Sequence, residues 1–210
     1  MKRFTLIATM LGLLVSLTSQ AAPVVSLSAA GELNTSVADA TIIDFNDGCG
    51  YALCSGDFVI ASGSLSGYYA SPAGVDSPYL SVPNPSATTK TAEFSLGTLA
   101  NYFGLYWGSI DAYNFISFYL NDTLVASYSG SDIVGQFADG NQISLSSNRY
   151  INFDFGSSVF DKVTLFSNGF AFESDNHAFK TIASLSEPAP ALLMLLGLAS
   201  LGLIRRRAQA

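Results

Sequence analysis

Tyr150-Ile151-Asn152-Phe153-Asp154-Phe155 is the stretch on which the fold turns. Ile151, Phe153 and Phe155 fall on one side of an extended chain, and Tyr150, Asn152 and Asp154 fall on the other. That is the pattern of a strand buried on one face. The same kind of segment recurs at Thr41–Phe45, Phe58–Ser62, Tyr79–Val82, Lys90–Leu96, Tyr102–Trp107, Asn114–Leu120, Thr123–Tyr128, Lys162–Ser167 and Phe170–Ser174. Gly, Asn, Asp, Ser and Pro separate these segments, and no apolar spacing of three and four persists over three helical turns. Short strands so spaced predict an all-β chain, an antiparallel β-sandwich of jelly-roll-like form.

Two turns stand out. Asn121-Asp122 can take the positive φ angles of a tight hairpin, and Ser167-Asn168-Gly169-Phe170 offers a second hairpin signal. Pro72 to Pro85 is rich in proline and serine and is expected to run over the surface, with Tyr79–Val82 as an edge strand within it.

The two ends read differently from the middle. Met1-Lys2-Arg3, the apolar Phe4 to Leu17 and the small-residue site Ser19-Gln20-Ala21 make a secretory signal peptide over 1–21, cut after Ala21. Its partners would be the Sec translocon and signal peptidase. Residues 22–185 then form one exported domain, long enough for a proper core. Lys90, Arg149, Lys162 and Lys180 are its only basic residues, against fifteen of the sixteen acidic ones, for a net charge of −11. The whole-chain value of −7 conceals this, because the other five basic residues lie in the end segments. Such a body repels nucleic acid and anionic headgroups.

Cys49 and Cys54, in Cys-Gly-Tyr-Ala-Leu-Cys, are the only cysteines. In an exported chain they read as a disulfide closing a small loop. A metal site would need two further soft ligands, and a redox role would prefer a CxxC spacing.

Residues 186–210 have three parts: Ser186-Glu187-Pro188, an uncharged run from Ala191 to Ile204, and Arg205-Arg206-Arg207. The fourteen residues of the run reach about 21 Å as a helix, short of the roughly 30 Å hydrocarbon core, so a transmembrane helix here would recruit its flanks or let the arginines snorkel. The arginines favour a cytoplasmic position for their own end. This tail resembles the PEP-CTERM sorting signal of Gram-negative bacteria, with Glu187 and Pro188 matching its motif and Ser186 standing where the family usually has proline. The resemblance implies transient residence in the inner membrane and processing by an exosortase-type protease.

The body also resembles one recurring type among PEP-CTERM surface proteins, through Ala73 to Val82, Tyr102 to Asn114, Phe160-Asp161-Lys162-Val163 and Phe172 to Asn176. That implies a β-sandwich surface domain of no assigned activity.

Two acidic clusters invite a metal. Asp44 and Asp47 follow one strand, and Glu173 and Asp175 lie near the end of the domain, on one face by alternation. If the first and last strands pair, the four would offer the oxygen ligands that calcium requires; the competing account is Asx turns and solvated loop ends. Tyr106, Asp111 and Tyr113 are candidate contacts for a glycan, although the odd-numbered run Phe103, Leu105, Trp107 is a core pattern. No Gly-x-Ser-x-Gly elbow accompanies the sole histidine, His177, so no catalytic residue and no enzyme activity is expected. The expectation is an exported structural or adhesive protein of a biofilm or exopolysaccharide matrix. The alternative is a lectin-like module, with or without calcium.

Overall fold

The computed structural model describes residues 22–86 and 88–182. The predicted signal peptide, the sorting tail with its apolar helix, and the last residues assigned to the exported domain lie outside the described residues. Eleven strands are present among the described residues: β1 (Val24–Leu27), β2 (Thr41–Ile43), β3 (Leu53–Gly56), β4 (Val59–Ala61), β5 (Tyr79–Val82), β6 (Thr91–Gly108), β7 (Asn114–Leu120), β8 (Thr123–Ser129), β9 (Arg149–Asp154), β10 (Phe160–Ser167) and β11 (Phe172–Thr181). All pair antiparallel in one large sheet. A five-residue helix, α1 (Gly130–Val134), is capped reciprocally by Ser129 and Asp132.

β6 organises the sheet. Its first half pairs with β3 and β10, and its second half pairs with β9 and β11. Phe94 and Leu96 face the core from the first half, whereas Phe103, Leu105 and Trp107 face it from the second. The parity changes between Ser95 and Ala100, where the register with β10 shifts. Gly97, at φ +71°, takes a backbone angle there that other residues rarely adopt. The two strands expected at Lys90–Leu96 and Tyr102–Trp107 are joined into one.

The two halves face each other across a common core. Phe118 of β7 lies 5.0 Å, ring to ring, from Phe153 of β9 and 5.6 Å from Phe103 of β6. β7 shares no ladder with β9, so Phe118 and Phe153 meet across the core rather than along a sheet ladder. Each fully buried phenylalanine contributes about 1.5–3 kcal/mol by leaving water. The alternation at 150–155 serves this core, with Ile151, Phe153 and Phe155 all buried in it.

Tyr79, Tyr106 and Tyr150 point the other way, into a second cluster with Ala61 and Val75. The loop 62–78 covers Tyr79 and Tyr106 and is pinned by their hydroxyls: Tyr79 Oη donates to the Gly63 carbonyl at 2.7 Å and Tyr106 Oη to the Ala73 carbonyl at 2.7 Å. This overturns the edge-strand reading of Tyr79–Val82. β5 lies between β4 and β11, and all four of its residues are fully buried because each face has its own cluster. The Asn168-Gly169 turn is likewise no hairpin, since β10 pairs with β6 and β7 while β11 pairs with β2, β5 and β6. The Asn121-Asp122 hairpin is present, with φ values of 47° and 63°.

Candidate functional site

β11 carries most of the buried polar chemistry. Phe172 and Ser174 face the main core, and Glu173 and Asp175 face the outer side under the loop 62–78. Strict alternation would send His177 outward with them. Instead β11 has one extra residue between Asp175 and Ala178, and Asn176 takes φ 48°. This bulge turns His177 and Phe179 back toward the core.

His177 is consequently fully buried against Phe45 and Phe103. Its Nε2 lies 2.9 Å from Ser174 Oγ and its Nδ1 lies 2.7 Å from Tyr51 Oη. Burial pushes the imidazole down to about 3, so it is neutral at physiological pH. The Ser174–His177 spacing is that of a nucleophile and its base, but Ser174 has no exposed surface for a substrate to reach. The pair serves as a satisfied polar network in the core.

Glu173 begins the more accessible site. Residues 64–70 form a compact turn, closed by hydrogen bonds between the backbones of Leu65 and Tyr69 at 2.9 and 3.1 Å. The turn seats on β11 because the Ala70 N–H donates to Glu173 Oε1 at 2.9 Å. Ser109 Oγ donates to Glu173 Oε2 at 2.8 Å. Burial raises this carboxyl to about 8, with nearby Asp111 adding to the effect, while the two hydrogen bonds oppose it. Glu173 therefore holds a proton at neutral pH.

A cleft of about 470 Å³ opens above it, lined by the turn 64–70, Gln142, Phe170 and Glu173. Tyr68 and Phe170 stand edge to face at 5.2 Å, and each is about two-fifths exposed. Tyr113 supports this wall: its hydroxyl donates to the Phe170 carbonyl at 3.1 Å, and its ring packs so closely on Gly169 that a Cβ there would come within 2.8 Å. Asp111 is half-buried, and burial pushes its carboxyl up, with the nearby Asp139 charge adding to the effect.

Of the expected glycan contacts, then, Asp111 and Tyr113 stand beside this cleft. Tyr106 does not serve, because it is fully buried in the second cluster with its hydroxyl on Ala73. The turn 64–70, Gln142 and Phe170 carry no sequence motif and were not anticipated.

The four expected calcium ligands do not converge. β2 pairs with β11, His177 opposite Ile43, and this brings Asp44 near enough to Asp175 for its charge to raise that carboxyl. Burial is the larger cause, and Asp175 is pushed up to about 6. Glu173 is engaged elsewhere, with Ala70 and Ser109. Asp44 accepts from the Asn46 backbone at 3.2 Å and from its amide at 2.8 Å, an Asx turn. Among the described residues no group of three or more His, Cys, Asp or Glu side chains is gathered to hold a metal ion. Cys49 and Cys54 form the expected disulfide, which ties the loop after β2 to β3.

Among the described residues no helix is long and apolar enough to cross a membrane. No family model, no curated protein and no solved structure matches this chain.

Proposed function

We propose that the chain is an exported surface or matrix protein whose body is a jelly-roll-like β-sandwich with a structural or adhesive task. The observation that carries the reading is the order of parts in 186–210: Glu187-Pro188, an uncharged helix-length run, then Arg205-Arg206-Arg207. Such a tail holds a translocated protein in the inner membrane until an exosortase-type protease cuts near the motif. Two properties of the body support an extracytoplasmic destination. The Cys49–Cys54 disulfide persists only where thiols are not kept reduced. The net charge of −11 over 22–185 favours solubility and disfavours nucleic-acid partners.

Mass spectrometry of the mature protein from its native host tests this reading. A start at Ala22 and loss of Arg205-Arg206-Arg207 are expected. Surface material that still carries the three arginines overturns it.

A further inference from the structure

We propose that the cleft between the turn 64–70 and Phe170 is a binding site for a neutral sugar ring of a polysaccharide chain. The inference deepens the adhesive reading and rests on it only for the compartment in which glycan is met.

Three observations carry it. First, the cleft has the size of a small-molecule site, about 470 Å³ against the usual range of roughly 300–1,000 Å³. Second, its mouth presents Tyr68 and Phe170, whose partly exposed rings can cover the C–H face of a pyranose.

Third, the polar groups are those that read hydroxyls. The amide of Gln142 and the hydroxyls of Ser66 and Tyr68 make no hydrogen bond among the described residues, so they are available to a ligand. Below them Glu173 keeps both oxygens in place through Ala70 and Ser109.

Charge selects among sugars. Glu173 is the one ionisable carboxyl in the lining and is protonated near neutral pH, so the cleft offers a cation no fixed charge. The acidic body around it repels uronates and sulfated chains. A neutral ring fits both conditions.

The test is affinity electrophoresis of the full exported chain in native gels containing dextran, galactomannan or hydroxyethylcellulose, with alginate and chitosan as the anionic and cationic arms. Retardation by at least one neutral polymer is expected, weakened about tenfold by Tyr68→Ala and by Gln142→Ala, the scale of one lost stacking or hydrogen-bonding contact. Tyr119→Ala, away from the cleft, should leave it unchanged. Tyr68 and Gln142 are exposed, so neither change empties the core; if Tyr68→Ala unfolds, Gln142→Ala decides alone. No retardation by any neutral polymer, retardation that the deciding variants leave intact, or retardation by chitosan or alginate alone overturns the proposal. A processed C-terminus with no sugar binding removes this site and spares the sorting reading. Sugar binding with intact arginines does the reverse.

Discussion

Glu173 Oε2, on β11, and Ser109 Oγ, just past the end of β6, meet at 2.8 Å inside the protein, beneath the loop 62–78. This contact helps hold in place a carboxyl that burial keeps protonated up to about pH 8.

Glu173 makes the protein sensitive to alkali. In the unfolded chain Glu173 titrates near its ordinary 4.5, while in the folded protein burial raises it to about 8. Between these values the unfolded state has lost a proton that the folded state retains, so raising the pH favours unfolding by up to about 1.4 kcal/mol per unit. Asp175, raised to about 6, has completed most of its own share of this loss by pH 6.5. Urea midpoints should fall between pH 6.5 and 8 in the wild type and stay level in Glu173→Gln. Equal slopes in the two proteins would show that Glu173 does not titrate in this window.

His177 has the opposite sign. Burial lowers it from 6.5 to about 3, so its contribution is fully present above pH 6.5 and is lost as the pH falls toward 3. Relative to wild type, His177→Gln should be less acid-sensitive between pH 6 and 4, by about 1.4 kcal/mol per unit. Its absolute stability should be lower, because the contacts with Phe45, Phe103 and Tyr51 are lost. Denaturant titrations at three pH values separate the two effects.

Gly108, the last residue of β6, lies directly under the covering loop. A Cβ there would come within 2.6 Å of Pro72 Cβ and 2.9 Å of its Cα. Gly108→Ala should therefore cost about 1–3 kcal/mol by overpacking. It should also raise amide exchange across 70–75, which a purely local strain would leave unchanged.

Trp107, the only tryptophan, is fully buried and stacks on Phe172 with ring centroids 4.0 Å apart. Its emission should be blue-shifted and resistant to acrylamide, reporting global unfolding directly. Phe172→Ala should cost about 3–5 kcal/mol and shift that emission to the red. An unshifted spectrum would place Trp107 elsewhere.

The Cys49–Cys54 bridge closes a loop with a sequence separation of 5, and both cysteines pack at the margin of the main core. Closing so small a loop contributes about 2 kcal/mol through the unfolded chain. Thermal melts of the Cys49→Ser, Cys54→Ser double variant should show a loss of that size.

What could be read from the residues was whatever depends on near neighbours. Alternation located β9, β7 and β5, and Asn121-Asp122 located its hairpin, because strand faces and positive φ angles leave their mark within a few positions. The depth of β5 was hidden: Ser81 and the flanking prolines suggest an edge, and its outer face is buried only by a loop that folds back over it. β6 looked like two strands because its inward positions change parity near Gly97. The bulge at Asn176, which reverses His177, has no signature beyond a residue tolerant of positive φ. The cleft was illegible for a different reason. Its defining contact, Ala70 to Glu173, joins residues 103 positions apart, and the remaining members are an unremarkable Ser, Gly and Tyr turn and a lone glutamine.

The position of β11 also bears on how the body would carry load. The strand is interior, with β6 along one side and β5 and β2 along the other, and its last described strand residue is Thr181. A pull transmitted through the residues that follow would run along the strand axis, at right angles to the hydrogen bonds of its antiparallel ladders. Such bonds are sheared and must yield together, whereas an edge strand pulled outward is peeled one bond at a time. A protein fixed to a surface through that end would meet flow along an interior strand that is hydrogen-bonded on both sides.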